Sequence, residues 1–168
     1  MRLLARLLRP VSPRFGSDFN VALGKTIYLT RPLDHWHTDS LSRVLAHEVV
    51  HLIDQKHYGV FFYLSYGLLL PSIRTLRAHW ELRAYAVDLL LAWETGGEAA
   101  LVDTANRVTN HLTGPAYGWM WLGKTAARRL LAPTLQSIRA GELQKRDPYA
   151  DILAAWRGPS HLDNKRTP

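Results

Sequence analysis

Cysteine is missing from this 168-residue chain, and its absence excludes disulfides and thiolate metal sites together. Any metal must then sit on histidine and carboxylate, a donor set that suits an open, catalytic zinc site better than a structural one. A long apolar run is missing too. The longest, YGVFFYLSYGLLLP from Tyr58 to Pro71, falls short of the roughly 20 residues a spanning helix needs. The N-terminal MRLLARLLRP is interrupted by Arg6 and Arg9, and no small-residue cleavage site follows it. It reads as a short amphipathic helix ended by Pro10, not as a secretory signal. Acid is in deficit, with 14 Asp and Glu against 21 Lys and Arg, a net charge of +7. The basic residues are scattered, so a solvated basic surface explains them more cheaply than a nucleic-acid footprint. These absences set the expectation of a soluble, cytoplasmic protein.

What is present describes a globular domain. Apolar residues make up 47% and charged residues 21%, with six Trp and seven Tyr, values that argue against disorder. The length fits one domain over residues 1–158, followed by a disordered tail over 159–168. FNVALGKTIYLT holds two β-prone runs around Gly24-Lys25, read as a strand over 26–30 with the earlier run as its hairpin partner. A helix capped by Asp39 or Ser40 begins near Leu41 and stops near Gly59. Its apolar face is read as Leu41, Val44, Leu45, Val49, Leu52 and Ile53. Further helices are expected over about 72–93, closed by Gly96-Gly97, then about 98–111, and about 119–138 with Pro133 kinking or splitting the last. The fold class is α+β: mostly helical, with a small N-terminal sheet or hairpin packed on the helix that carries HEVVH.

That helix carries the chemistry. In HEVVHLIDQKH, residues 47–57, His47 and His51 lie one turn apart on the same face and can share one metal ion. Glu48 is rotated about 100° from His47, where its carboxylate reaches a water activated by the metal instead of the metal itself. There it can take a proton and pass it to a leaving amine.

Two residues compete to be the third ligand. His57 matches the histidine spacing HExxHxxGxxH, but Asp54 stands where that pattern needs Gly to break the helix. A helix running on through Asp54 carries His57 about 15 Å along the axis from His47, too far for one metal. Met120 is a doubtful source of the Met-turn that goes with that pattern. The other candidate is Glu81 in HWELRAYAVD, an acid on an otherwise apolar helical stripe that also carries Tyr85 and Asp88. Asp54 or Asp88 can support a ligand histidine through its spare ring N–H. Tyr85, Tyr117 and His111 are candidate donors to the oxyanion of a tetrahedral intermediate. His35, His37 and His79 read as surface residues, His79 with reach towards the cleft. Arg74 and Arg77 read as a solvated helix face or as partners of a substrate carboxylate. The apolar run over 58–70 reads as core packing and a wall of the cleft.

Over residues 24–90, through GKTIYL, HEVVHLID and WELRAYAVD, the chain resembles the gluzincin metallopeptidases, the thermolysin-like clan with HExxH and a glutamate on a second helix. The resemblance implies His47, His51 and Glu81 as zinc ligands and Glu48 as general base. It makes the strand over 26–30 the rim along which extended peptide pairs. The pattern departs at one place, since thermolysin-like sequences carry Asp four residues after the ligand Glu, where Tyr85 stands here. The expected function is that of a zinc metallopeptidase, with a peptide or protein substrate and Glu48 and Tyr85 as catalytic residues. Two alternatives stay open: a catalytically silent fold serving as a structural or interaction module, and a basic nucleic-acid-associated protein with a structural metal.

Overall fold

The first elements among the described residues form an antiparallel hairpin, β1 (Val21–Leu23) paired with β2 (Thr26–Tyr28) in the register Val21↔Tyr28, Ala22↔Ile27, Leu23↔Thr26. The two-residue turn between them uses Gly24 at φ +64°, a left-handed conformation that costs glycine nothing. Asn20 closes the open end by accepting from the Thr30 backbone N–H at 3.0 Å. The structure, a computed structural model, describes residues 20–67, 74–114 and 123–158.

Helix α1 (Thr38–Tyr58) follows a short 3₁₀ turn at Leu33–His35. It begins a few residues earlier than capping by Asp39 or Ser40 predicts, because His37, in extended conformation, is the capping residue and makes no side-chain cap bond. It ends at Gly59, as expected. Asp54 lies inside it. Helix α2 (Val60–Gly67) forms within the apolar run, where the sequence alone predicts no element.

Helix α3 (Arg74–Thr113) contains one non-helical residue, Gly97 at φ +60°, so the break expected at Gly96-Gly97 is a sharp kink between two stacked segments. Helix α4 (Lys124–Arg139) keeps Pro133 inside an unsplit helix. Beyond it come a 3₁₀ turn at Leu143–Lys145 and α5 (Tyr149–Arg157), an element the sequence reading did not foresee.

Helix α3 is the centre of the packing, with α1, α2, α4 and α5 all against it. Its Leu89, Leu90, Leu91, Leu101 and Leu112 form one buried cluster with Leu131 and Ile138 of α4 and Tyr149 and Leu153 of α5. The result is a mostly helical α+β fold with the small sheet packed on α1. Among the described residues no helix is long and apolar enough to cross a membrane.

One expectation about α1 is overturned. The residues it buries are Glu48, Val50, His51, Asp54 and Gln55. Leu41, Val44, Leu45, Val49 and Leu52 are only half-buried, and Ile53 is exposed. The buried face is polar because α3, α2 and the hairpin answer it with charge and hydrogen bonds, so hydrophobicity alone selects the wrong side.

Candidate metal centre

Helix α1 sets His47 and His51 one turn apart, with ring centroids separated by 5.2 Å and planes at 76°. Helix α3 brings Glu81 up to them from the opposite side, buried to 2% exposure. Its Oε2 lies 3.8 Å from His47 Nε2 and 4.0 Å from His51 Nε2. One ligand atom from each of the three residues lies within 4.8 Å of the others. Three ligands of a tetrahedral zinc ion stand roughly 3.3–3.5 Å apart at ordinary bond lengths, so closure by about an ångström fits these donors to a metal. The sequence residues His47, His51 and Glu81 are therefore brought together. His57 is not: it is exposed in the last turn of α1, its ring against Tyr58.

The surroundings orient each group. Asp88, two turns beyond Glu81, accepts from His47 Nδ1 at 2.8 Å. That bond fixes the tautomer and turns Nε2 towards Glu81. Burial works against a charged His47, but the Asp88 and Glu81 carboxylates outweigh it and raise its pKa to about 10. His51 goes the other way. Burial lowers it to about 4 despite the pull of Glu81, and its Nδ1 is buried with no hydrogen-bond partner among the described residues. Packing holds that ring instead, against the stacked pair Phe62 and Tyr66. For Glu81, burial favours the neutral acid, yet the His47 ring facing it at 3.8 Å and the neighbouring positive charges hold it ionised, near 2.

Glu48 is buried beside the cluster, and burial pushes its carboxyl up to about 7 against the pull of His47. Glu81 and Asp88 reinforce the rise, while the Ala22 backbone N–H opposes it. A carboxyl poised near neutrality is suited to accept and return a proton.

The remaining candidates divide. Asp54 does not support a ligand histidine. It is 1% exposed and takes a forked bond from Arg83, Nε at 3.1 Å and Nη2 at 2.9 Å. Tyr85 lays its ring against His47 at 4.8 Å, and its hydroxyl pairs with His111 Nδ1 at 3.2 Å. Tyr117 and Met120 lie outside the described residues. His35, His37 and His79 are exposed, and His79 packs beside Trp80. Arg77 is no solvated side chain: its guanidinium lies 5.0 Å from the centre of the Tyr66 ring. The side chain of Arg74 is outside the description.

Two residues of the site had no place in the sequence reading. Tyr66 of α2 donates from its hydroxyl to Glu81 Oε1 at 2.5 Å. Gln55 joins three elements: its Nε2 donates to Ala22 O at 2.7 Å, and its Oε1 accepts from Gly24 N and Tyr63 Oη, each at 2.8 Å. The only signal for either was a polar tip in an unexpected setting, a tyrosine in an uncharged run and a glutamine one turn past His51. The Gln55 clamp also shows which strand meets the helix: β1 lies against α1, with Ala22 facing both Glu48 and Gln55.

Comparison of the chain with protein-family models, with curated proteins and with solved structures finds no match.

Proposed function

We propose that the chain is a zinc-dependent peptidase in which His47, His51 and Glu81 hold the metal and Glu48 is the general base. The observation that carries this reading is the meeting of the three ligand atoms within 4.8 Å, with Glu48 buried one residue along the same helix. Two imidazoles, one carboxylate and no thiolate suit zinc among the common metals. A zinc ion bound there supplies the positive charge that polarises a peptide carbonyl and acidifies water.

The chain's own groups do the rest. Glu48, raised to about 7, takes the proton from the attacking water and hands it to the departing nitrogen. His47 and Glu81 face each other across the site, fixed by Asp88 and Tyr66. Tyr85, against His47 and paired with His111, is the candidate donor to the carbonyl oxygen as charge develops on it. Burial of the cluster strengthens each of these interactions by keeping solvent out.

The test pairs metal content with turnover on a mixed peptide substrate. Glu48→Gln keeps the size of the side chain but cannot accept the proton. It should hold as much zinc as the wild type and hydrolyse roughly 10²-fold more slowly or worse. Comparable turnover by Glu48→Gln would end the assignment, as would a wild-type chain that binds no zinc.

A further inference from the structure

We infer that Tyr66 is a positioning residue for the Glu81 ligand: its hydroxyl holds Oε1, so that Glu81 offers a metal one oxygen, Oε2. The inference rests on the metal-site reading above and adds to it the way in which Glu81 binds.

A buried carboxylate is a demanding group. Its two oxygens present about four lone pairs, and in an interior each unpaired one is costly. Glu81, at 2% exposure, meets this demand by dividing its oxygens. Oε2 faces the two imidazole Nε2 atoms at 3.8 and 4.0 Å. Oε1 faces the Tyr66 hydroxyl at 2.5 Å, in the short range of bonds from a hydroxyl to an ionised carboxylate. That bond keeps Oε1 turned to the phenol, and its loss removes a constraint against both oxygens turning to one cation.

Tyr66 itself is held on three sides. Its ring stacks on Phe62 with centroids 5.3 Å apart and planes at 14°, meets the His51 ring edge-on at 5.6 Å, and carries the Arg77 guanidinium at 5.0 Å. That guanidinium adds positive charge beside the phenol, which makes its hydroxyl a better donor to Glu81. The helix that carries it is anchored as well. Ser65 accepts from Trp80 Nε1 of α3 at 2.9 Å, and Tyr63 donates to Gln55 of α1 at 2.8 Å. Helix α2 thus turns Phe62, Ser65 and Tyr66 inwards while Val60, Phe61 and Leu64 stay exposed at 71%, 55% and 51%. Such an expenditure of fixed contacts around one hydroxyl is what a positioning role requires and what simple filling of space does not.

The experiment uses Co²⁺ and Zn²⁺ with the full chain and its Tyr66→Phe variant, which keeps the ring and removes only the hydroxyl. Unchanged far-UV circular dichroism establishes that the variant is folded. Its metal dissociation constants should rise by about 10- to 100-fold, and the strong visible absorption of four-coordinate Co²⁺ should fall to the weaker bands of a five-coordinate ion. X-ray absorption at the zinc edge of the wild type needs no variant and should show four nitrogen and oxygen neighbours at about 2.0–2.2 Å. Wild-type affinity and spectrum in Tyr66→Phe would overturn the inference, and so would a five-coordinate first shell in the wild type. A wild type that takes up neither metal would instead bring down the metal-site reading on which it rests.

Discussion

Zinc binding should expel about one proton per ion from His47 at mildly alkaline pH, beyond the one that a zinc-bound water gives up. Its pKa is raised to about 10 by Asp88 and Glu81 against the cost of burial, so at pH 8.5 the ring is almost wholly protonated. His51, near 4, and Glu81, near 2, are already in their ligand forms. A metal that takes His47 Nε2 must displace the proton there, whereas Nδ1–H stays on Asp88 at 2.8 Å. The sign follows: the proton competes with zinc until the pH passes the raised pKa. The His47 proton alone should make apparent affinity climb about tenfold, or about 1.4 kcal/mol, per pH unit between pH 7.5 and 8.5. A zinc-bound water acidified to about 7 adds a second proton of its own, whereas an ordinary histidine near 6.5 would add almost nothing over that interval. Glu48, near 7, adds at most about a quarter of a proton at pH 7.5 and almost none at 8.5, so at the higher pH the count should be about two with the raised His47 and about one without it. Calorimetric zinc titrations in buffers of different ionisation enthalpy read the proton count. Competition against a chelator reads the slope. Release of no more than about one proton at pH 8.5, with affinity climbing no faster than about tenfold per pH unit from 7.5 to 8.5, would refute the reasoning. Asp88→Asn should reduce both the count at pH 8.5 and the affinity, the latter by about 10- to 100-fold.

Three other outcomes follow from the same contacts. Glu81→Ala should weaken zinc binding by at least about 10²-fold through loss of a ligand, whereas His57→Ala should leave it unchanged; the opposite ranking in a chelator competition would exchange their roles. Arg83→Ala leaves Asp54 charged and unpaired at 1% exposure, and should cost about 3 kcal/mol in urea unfolding, the low end for a buried pair because Arg83 keeps 29% exposure. Equal stability would show that the pair is ornamental. Gln55→Ala removes three hydrogen bonds that tie β1, its turn and α2 to α1, for a loss of about 2–4 kcal/mol; a loss under about 1 kcal/mol would mean the hairpin is held by packing alone.

The parts of the fold written in local chemistry were legible. The turn at Gly24-Lys25, the stop at Gly59 and the kink at Gly96-Gly97 all depend on a glycine that adopts a positive φ, and each was visible in the chain. The candidate ligand cluster was legible because four-residue spacing puts His47 and His51 on one face whatever surrounds them, and because an acid at 81 stood out in an apolar stripe. Tyr66 was not, since its partner lies 15 residues away on another helix and no local pattern joins them. Helix α2 escaped for a related reason: its inner face is chosen by Trp80, Gln55 and Glu81, which it meets only in the folded chain.

The misreading of α1 is the most informative of these differences. Apolar residues occur nearly all the way round that helix, so hydrophobic periodicity had little to select. The polar residues were more orderly. His47, Glu48, His51, Asp54 and Gln55 recur at i, i+1, i+4, i+7 and i+8, the same spacing by which an apolar stripe announces a core. Four of the five are buried, and His47 keeps only 13% side-chain exposure. Each has a defined place: His47 on Asp88, His51 against Phe62 and Tyr66, Asp54 on Arg83, Gln55 on the hairpin, and Glu48 beside the cluster. Burying such a face is costly unless partners meet it, so a helix that arranges its polar groups in this way implies a second element built to receive them. On this face local propensity and global fold disagree. In this chain the polar stripe of α1 already implied α3, and with it the carboxylate at 81 that faces His47 and His51.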